Sequence, residues 1–399
     1  MRVKYVIGDF VEHKKGFAFK SRWFNKTGQL VVRVSDTTSN SIEISKCERI
    51  DYEIASQFAD YSISTGDVVI MTVGSWPSNP ASVVGKVIKV PTKANGALLN
   101  QNAVRLRAKT NIDQNFLYYL LKNKDFSSYI TSVAQGSANQ ASITLNDIFS
   151  YEAFIPCLQE QQAIAEILSS IDDKIDLLNR QNETLEAMAQ TLFRQWFIEE
   201  ADDSWEEVEL GELVSLPGGY SFKSSSYSAN GSFKVITIKA IQDGRFVADG
   251  AETVDDLPSN LKNHQKLQIG DALISLTGNV GRVCLVDEPN CLLNQRVSKI
   301  VGKKHCDTIW GYYYFRQPHM IEQLTQLSKG TAQLNLSPIE TQKQKVILPQ
   351  TNRITDYYSA VLPNHEKLLM NKRHIKSLQD LRDALLPKLM SGEVRVKLD

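Results

Sequence analysis

The side chains with the clearest chemical potential come in matched sets of amides and cations. Lys20, Ser21 and Arg22 follow a Gly-aromatic turn, and Lys223 and Ser224 follow another. Asn100, Gln101 and Arg105 stand where an apolar pair ends, as do Asn294, Gln295 and Arg296. Asn139 and Gln140 come after Gly136, and Gln333 and Asn335 after Gly330. Lysine, arginine and hydroxyls donate to phosphates. Arginine can bond guanine through two contacts, and asparagine or glutamine can do so with adenine. The sets therefore suit nucleic-acid recognition. Each has an equally good scaffold reading: a buried Phe beside a solvated Lys, or an amide serving loop backbone. Groups shared by both sets would position a ligand or hold the fold. Sequence-reading groups would differ between sets, which directs attention to the unmatched polar loops 75–81 and 225–230.

Catalytic constellations do not emerge. There is no G-x-x-x-x-G-K-[ST] loop and no strand-borne G-x-G-x-x-G, and the Asn/Asp-Pro-Pro-aromatic run of amino-methyltransferases is missing. The six histidines (His13, His264, His305, His319, His365, His374) lack metal spacing. The five cysteines form no C-x-x-C pair, so a metal site or disulfide framework is unsupported and reduced, cytosolic thiols are expected. Asp172-Asp173 and Asp202-Asp203 read as solvated carboxylates.

The elements that carry these sets repeat. Gly16-Phe17-Ala18-Phe19-Lys20-Ser21 recurs as Gly219-Tyr220-Ser221-Phe222-Lys223-Ser224, and Gly66-Asp67-Val68-Val69-Ile70 as Gly270-Asp271-Ala272-Leu273-Ile274. Leu98-Leu99-Asn100-Gln101 recurs as Leu292-Leu293-Asn294-Gln295, and Gly136-Ser137-Ala138 as Gly330-Thr331-Ala332. The offset is 203–204 early and 193–194 later; a longer loop between Gly74 and Gly85 absorbs the difference. Each copy shows short β-branched runs (Val31-Val32-Arg33-Val34; Val235-Ile236-Thr237-Ile238) and one aromatic helical stretch, 116–121 or 310–315. A mixed α/β (α+β) globule per copy follows.

A long heptad helix comes after each globule. Ile164, Ile171, Leu178, Leu185 and Leu192 form one row, and Leu168, Ile175, Asn182, Ala189 and Trp196 the other. A buried Asn182 would set register and partner choice. The second helix is predicted over 364–390, with Val361, Leu368 and Ile375 in step, a shifted phase through Leu378, Leu381 and Leu385, and Pro363 marking its start or a kink. The two helices are predicted to pair antiparallel as a coiled coil. The expected division is 1–156 and 201–349 for the globules, with 157–200 and 350–399 for the helical segments.

Length and charge fit this plan. A chain of 399 residues holds two to three units. Net charge is zero, but residues 1–155 carry 18 Lys and Arg against 13 Asp and Glu, and 156–200 carry 3 against 9. Residues 205–349 carry 15 of each, and 350–399 carry 9 against 6. The first globule is thus basic and the second balanced. No signal-like or membrane-spanning apolar run exists.

The order globule, helix, globule, helix resembles the specificity subunits of Type I restriction-modification enzymes (the HsdS family). The run 156–162 (PCLQEQQ) is similar to the opening of that family's first helix, 177–185 (LLNRQNETL) to its central helix, and 381–394 (LRDALLPKLMSGEV) to its C-terminal ending. The resemblance spans essentially the whole chain. It implies a non-catalytic, cytoplasmic reader of double-stranded DNA whose globules are target-recognition domains, each reading one half of a bipartite target. The helices would set the spacer and dock two methyltransferase (modification) subunits, and motor-nuclease (restriction) subunits would join. S-adenosylmethionine would sit in the methyltransferase, with no cofactor in this chain. Pro363 departs from the pattern of the first helix. The alternatives are a stand-alone restriction/methyltransferase enzyme, which the missing cofactor motifs oppose, and a coiled-coil scaffold, which the repeated polar turns oppose.

Overall fold

A computed structural model describes residues 2–38, 40–76, 83–137, 140–202, 204–328, 334–348 and 351–397. The chain divides into two compact units, residues 1–174 with 378–399, and residues 175–377. Each unit therefore combines one globule with a stretch of both long helices.

In the first unit, one four-stranded antiparallel sheet places Val11–Lys15, Ala103–Ala108, Val68–Met71 and Val87–Lys89 side by side. The run Val68–Met71 is buried throughout because it is covered on both faces. The two-residue period of a strand sends Val68 and Ile70 into one core and Val69 and Met71 into another. A second sheet aligns Phe24–Asn25, Glu48–Ile50, Gln29–Val32 and Leu98–Leu99, the last two in parallel with Val31 opposite Leu98. Helix α1 (Gln114–Lys122) starts at Asp113, whose carboxylate accepts from the Phe116 amide at 2.9 Å, and buries Phe116 to Leu121 without a break. Both faces of its aromatic run pack, so no polar stripe remains.

Helix α2 (Leu158–Arg194) begins in this unit. Its Ile164, Ala165 and Leu168 share a core with α1 and with Leu386, Leu389 and Met390 near the C-terminus. Asp172 differs from its solvated expectation. It accepts from the Tyr119 hydroxyl at 2.8 Å and from the Arg382 guanidinium at 2.8 Å. The Arg2 guanidinium joins Glu160 at 2.9 Å and the carbonyls of Leu389 and Met390. Residues 160 and 172 thus meet residues near 390 and 382 in turn, an antiparallel order.

The second unit repeats the plan. Ala272–Ser275 lies between Val283–Leu285 and Val297–Lys299, and Phe233–Ile236 runs parallel to Cys291–Leu293. Ala272 and Ile274 enter one core and Leu273 another, the same alternation as in the first copy. Helix α3 (His305–Phe315) supplies the aromatic stretch, with Trp310, Tyr312, Tyr313 and Phe315 buried.

Helix α4 (Thr351–Ser391) starts well before the predicted 364, and Pro363 lies inside it. The buried row Ile354, Val361, Leu368 and Ile375 explains the difference, since it keeps a seven-residue step straight across the proline. Pro363 removes the bond to the Ser359 carbonyl, but both residues are exposed, so water can serve that carbonyl. Among the other predicted seam residues, Ile171, Ile175 and Leu178 are buried, and Leu185 and Leu192 are half-buried. The Asn182 side-chain oxygen accepts from the Asn371 amide at 3.0 Å, and the Tyr357 hydroxyl donates to the Ala189 carbonyl at 3.0 Å. The helices therefore run antiparallel here too. Among the described residues, no helix is long and apolar enough to cross a membrane.

Two expected outcomes follow from this helix pair. Asn371 is 1% exposed, so Asn182→Leu leaves its amide in the core with only the longer bond to the Gln181 oxygen, at 3.4 Å, among the described residues. We expect a loss of about 1–3 kcal/mol in chemical unfolding. The double change Asn182→Leu/Asn371→Leu should recover most of it, and a double variant no better than the single would refute the pairing.

His365 is the second. It lies against the rings of Tyr312 and Tyr313, its Nδ1 has no hydrogen-bond partner among the described residues, and burial pushes its pKa down to about 4 despite the nearby Glu186 carboxylate. Between pH 6.5 and 4 the unfolded chain holds this proton and the folded chain does not. His365 thus adds no penalty above pH 6.5, and as pH falls to 4 it removes about 3 kcal/mol of stability. His365→Leu should flatten that part of the stability profile; an unchanged slope in pH-dependent unfolding would contradict the assignment.

Candidate nucleic-acid interface

Backbone hydrogen bonds bring the separate sets of candidate residues to one loop cluster in each unit. In the first unit, the Phe17 amide donates to the Leu99 carbonyl at 2.9 Å and the Gly16 amide to the Ala103 carbonyl at 2.9 Å. The Thr72 amide donates to the Asn102 carbonyl at 2.9 Å, and the Ile143 amide to the Thr72 carbonyl at 2.9 Å. Four segments (16–22, 72–76, 99–103 and 140–143) are thus stitched in sequence.

The second unit has the same stitching. The Tyr220 amide donates to the Leu293 carbonyl at 2.8 Å, and the Gly219 amide to the Val297 carbonyl at 3.2 Å. The Leu276 amide donates to the Arg296 carbonyl at 3.0 Å, and the Leu336 amide to the Leu276 carbonyl at 2.7 Å. Parallel bridges join Phe17 to Asn100 and Tyr220 to Asn294.

The recurring glycines of the repeat have a steric role. A Cβ on Gly16 would stand 2.0 Å from the Asn100 carbonyl oxygen, and one on Gly219 would stand 2.2 Å from that of Asn294. Only glycine allows the two segments to lie this close.

The side chains sort into two groups. Lys20, Ser21, Arg22, Gln101 and Gln140 are exposed in the first unit, and Lys223, Ser224, Gln295, Arg296 and Asn335 in the second. Ser21 and Ser224 open short 3-10 turns, Ser21–Trp23 and Ser224–Ser226. The Lys20 ammonium stands 5.4 Å from the centre of the Trp23 ring. Others are engaged in the fold. Asn294 is buried and accepts from the Arg296 amide at 3.2 Å, Asn100 is half-buried, and its amide bonds the Val32 carbonyl at 2.9 Å. The Arg105 guanidinium donates to the Ser62 carbonyl, and burial lowers its pKa. Asn139 and Gln333 lie outside the described residues, as does most of the loop 75–81; the loop 225–230 is described, and its Ser228 amide bonds the Thr253 carbonyl at 2.8 Å.

The structure changes two correspondences. Sequence matching set Arg105 against Arg296, but the backbone bonds set Asn102 there, since both carbonyls accept from the matching segment, at Thr72 and Leu276. Likewise Ser142, opposite Val73, matches Asn335, opposite Thr277. Asn102 was missed although the run Leu98-Leu99-Asn100-Gln101 leads straight to it; counting one residue further at the same offset, 194, would have found it.

Exposed amides, hydroxyls and cations on a rigid backbone platform can donate to an anionic backbone and to planar rings. The sequence family described as the Type I restriction modification DNA specificity domain matches residues 3–187 and again 202–380. The MjaIX Type I restriction enzyme specificity subunit of Methanocaldococcus jannaschii is 27% identical over 75% of this chain and 73% of its own length. The HindI Type I restriction enzyme specificity subunit of Haemophilus influenzae is 25% identical over 70% of this chain and 77% of its own. In fold, the chain is similar to the crystal structure of the S subunit of a Type-I restriction-modification system from M. genitalium. The TM-score is 0.57 at 18% identity, covering 100% of this chain and 97% of that one.

Proposed function

The chain belongs to the Type I restriction modification DNA specificity domain family, which it matches twice, and from that premise we propose that it reads a bipartite DNA target, one half per globule. The observation that carries this reading is the pair of loop clusters. Both are stitched by the same backbone bonds, and they present different exposed side chains. One scaffold with two sets of reading groups is what two unlike half-sites require.

In this reading residues 1–156 and 201–349 act as the recognition domains, and 157–200 and 350–399 set the spacer and dock two methyltransferase subunits. Restriction subunits complete the assembly in the cytoplasm. The chain itself is non-catalytic, and S-adenosylmethionine is held by the methyltransferase. Lys20, Ser21, Arg22, Lys223 and Ser224 are assigned to phosphates, where small residues and 3-10 turns let backbone come close.

The test is a genome-wide map of methylated sites in native cells with and without this gene. We expect one bipartite motif to vanish with the gene. Retention of every methylated motif would overturn the reading.

A further inference from the structure

We propose that residue 102 in the first unit and its counterpart 296 in the second are base-reading positions, with Asn102 set for adenine and Arg296 for guanine. This rests on the DNA-reading function proposed above.

The two positions share their sequence setting and their main backbone contacts and differ in the side chain they carry. Each follows Asn-Gln: Asn100-Gln101 before Asn102, and Asn294-Gln295 before Arg296. Each is followed by a fully buried residue, Ala103 or Val297, whose carbonyl accepts from the close-packed glycine, Gly16 or Gly219. Each has a carbonyl held by the neighbouring segment, through Thr72 or Leu276. At 296 the backbone is held more closely still. The Gln295 amide donates to the Tyr220 carbonyl at 3.0 Å, the Val297 amide to the Asn294 carbonyl at 2.9 Å, and the Arg296 amide to the Asn294 side chain.

A clamped backbone with an unoccupied side chain is the arrangement that reading requires. Arg296 is exposed, and its guanidinium has no ion pair or hydrogen bond with any described residue. This contrasts with Arg33, Arg107, Arg316 and Arg382, each committed to a carboxylate. The Asn102 side chain is half-buried and likewise unbonded among the described residues. Groups that are alike in both copies can position DNA but cannot tell two half-sites apart. The side chain that differs on a corresponding platform can. The guanidinium fork matches guanine O6 and N7, and the asparagine amide matches adenine N7 and N6.

The experiment uses the tagged full chain recovered from its native cells with its bound subunits. A randomised duplex library is selected on it, and the retained sequences are read. The parent complex should retain a bipartite motif with a guanine in one half and an adenine in the other. Arg296→Asn should change the base at one position of one half, with preference for guanine there falling roughly ten- to hundred-fold, and leave the other half intact. Asn102→Arg should alter one position of the other half alone. Arg296→Lys keeps the charge but loses the fork, so guanine preference should still fall.

A motif unchanged by both Arg296→Asn and Asn102→Arg would overturn the proposal. So would a uniform affinity loss in Arg296→Asn that Arg296→Lys restores, since that marks a phosphate contact. A parent complex that retains no motif would instead overturn the DNA-reading function beneath it. Because neither side chain bonds any described residue, the variants should melt with the parent, and thermal unfolding of each is recorded alongside the selection.

Discussion

Replacing Glu186 by alanine should cost the second unit about 3–5 kcal/mol of stability. Glu186 on α2 accepts from the Tyr312 hydroxyl of α3 at 2.9 Å and from the Arg316 guanidinium at 2.6 Å. The Arg316 side chain is 8% exposed. Burial works against its charge, but the Tyr312 oxygen and the Glu186 carboxylate hold it protonated, above its ordinary value. Without Glu186 the guanidinium keeps the Tyr312 hydroxyl at 2.9 Å and, as its one remaining carboxylate among the described residues, Asp243, 3.6 Å from its Nε and largely in solvent. An uncompensated buried cation is far more costly than a buried pair is favourable. The double change Glu186→Ala/Arg316→Met removes both charges and should regain most of the loss. Denaturant unfolding of parent, single and double variants closes the cycle. A single-variant loss below about 1 kcal/mol would show that water reaches the guanidinium and that this pair does not secure α3 to α2.

Gly219→Ala should be nearly as damaging, by about 3 kcal/mol, and should also displace the segment that carries Lys223 and Ser224. The added methyl would meet the Asn294 carbonyl oxygen at 2.2 Å and the Leu293 carbonyl oxygen at 2.4 Å. These are backbone atoms, so no rotamer change relieves the clash. The two segments must part, breaking the bonds from Tyr220 to Leu293 and from Gln295 to Tyr220. Hydrogen exchange reads this locally: the amides of Tyr220 and Gln295 should lose protection before the sheet does. Gly218→Ala is the internal control, because no atom of a described residue lies within 4 Å of a Cβ there, and its effect should stay within about 0.5 kcal/mol. Equal effects at 218 and 219 would mean that the close approach is not what glycine serves. Gly16 faces the same contact in the first unit, at 2.0 Å from the Asn100 oxygen, and Gly16→Ala should weaken that unit alone.

Much of the architecture was legible in the chain itself. The ordered repeats announced two similar globules, and the seven-residue rows announced two helices, because periodicity along one element is a local property. Even Pro363, which misled the placement of the second helix, is passed by a row that begins at Ile354 and is visible without coordinates. The types of the site residues were legible too, since amides and cations clustered after repeated turns. What the chain alone did not determine was which of them are free to act. Arg105 and Arg296 look alike in sequence, yet one is spent on the Ser62 carbonyl and the other stands exposed. Asn102 emerges as the counterpart of Arg296 only through the bond from Thr72, which matches the bond from Leu276 in the second unit. Asp172 read as solvated until Tyr119 and Arg382 met it. The reason is physical. Pairings such as Val31 with Leu98, or Tyr220 with Asn294, are made by backbone groups that every residue carries. They leave little mark on side-chain identity, so only the folded chain decides which side chains they bring together and which they leave free.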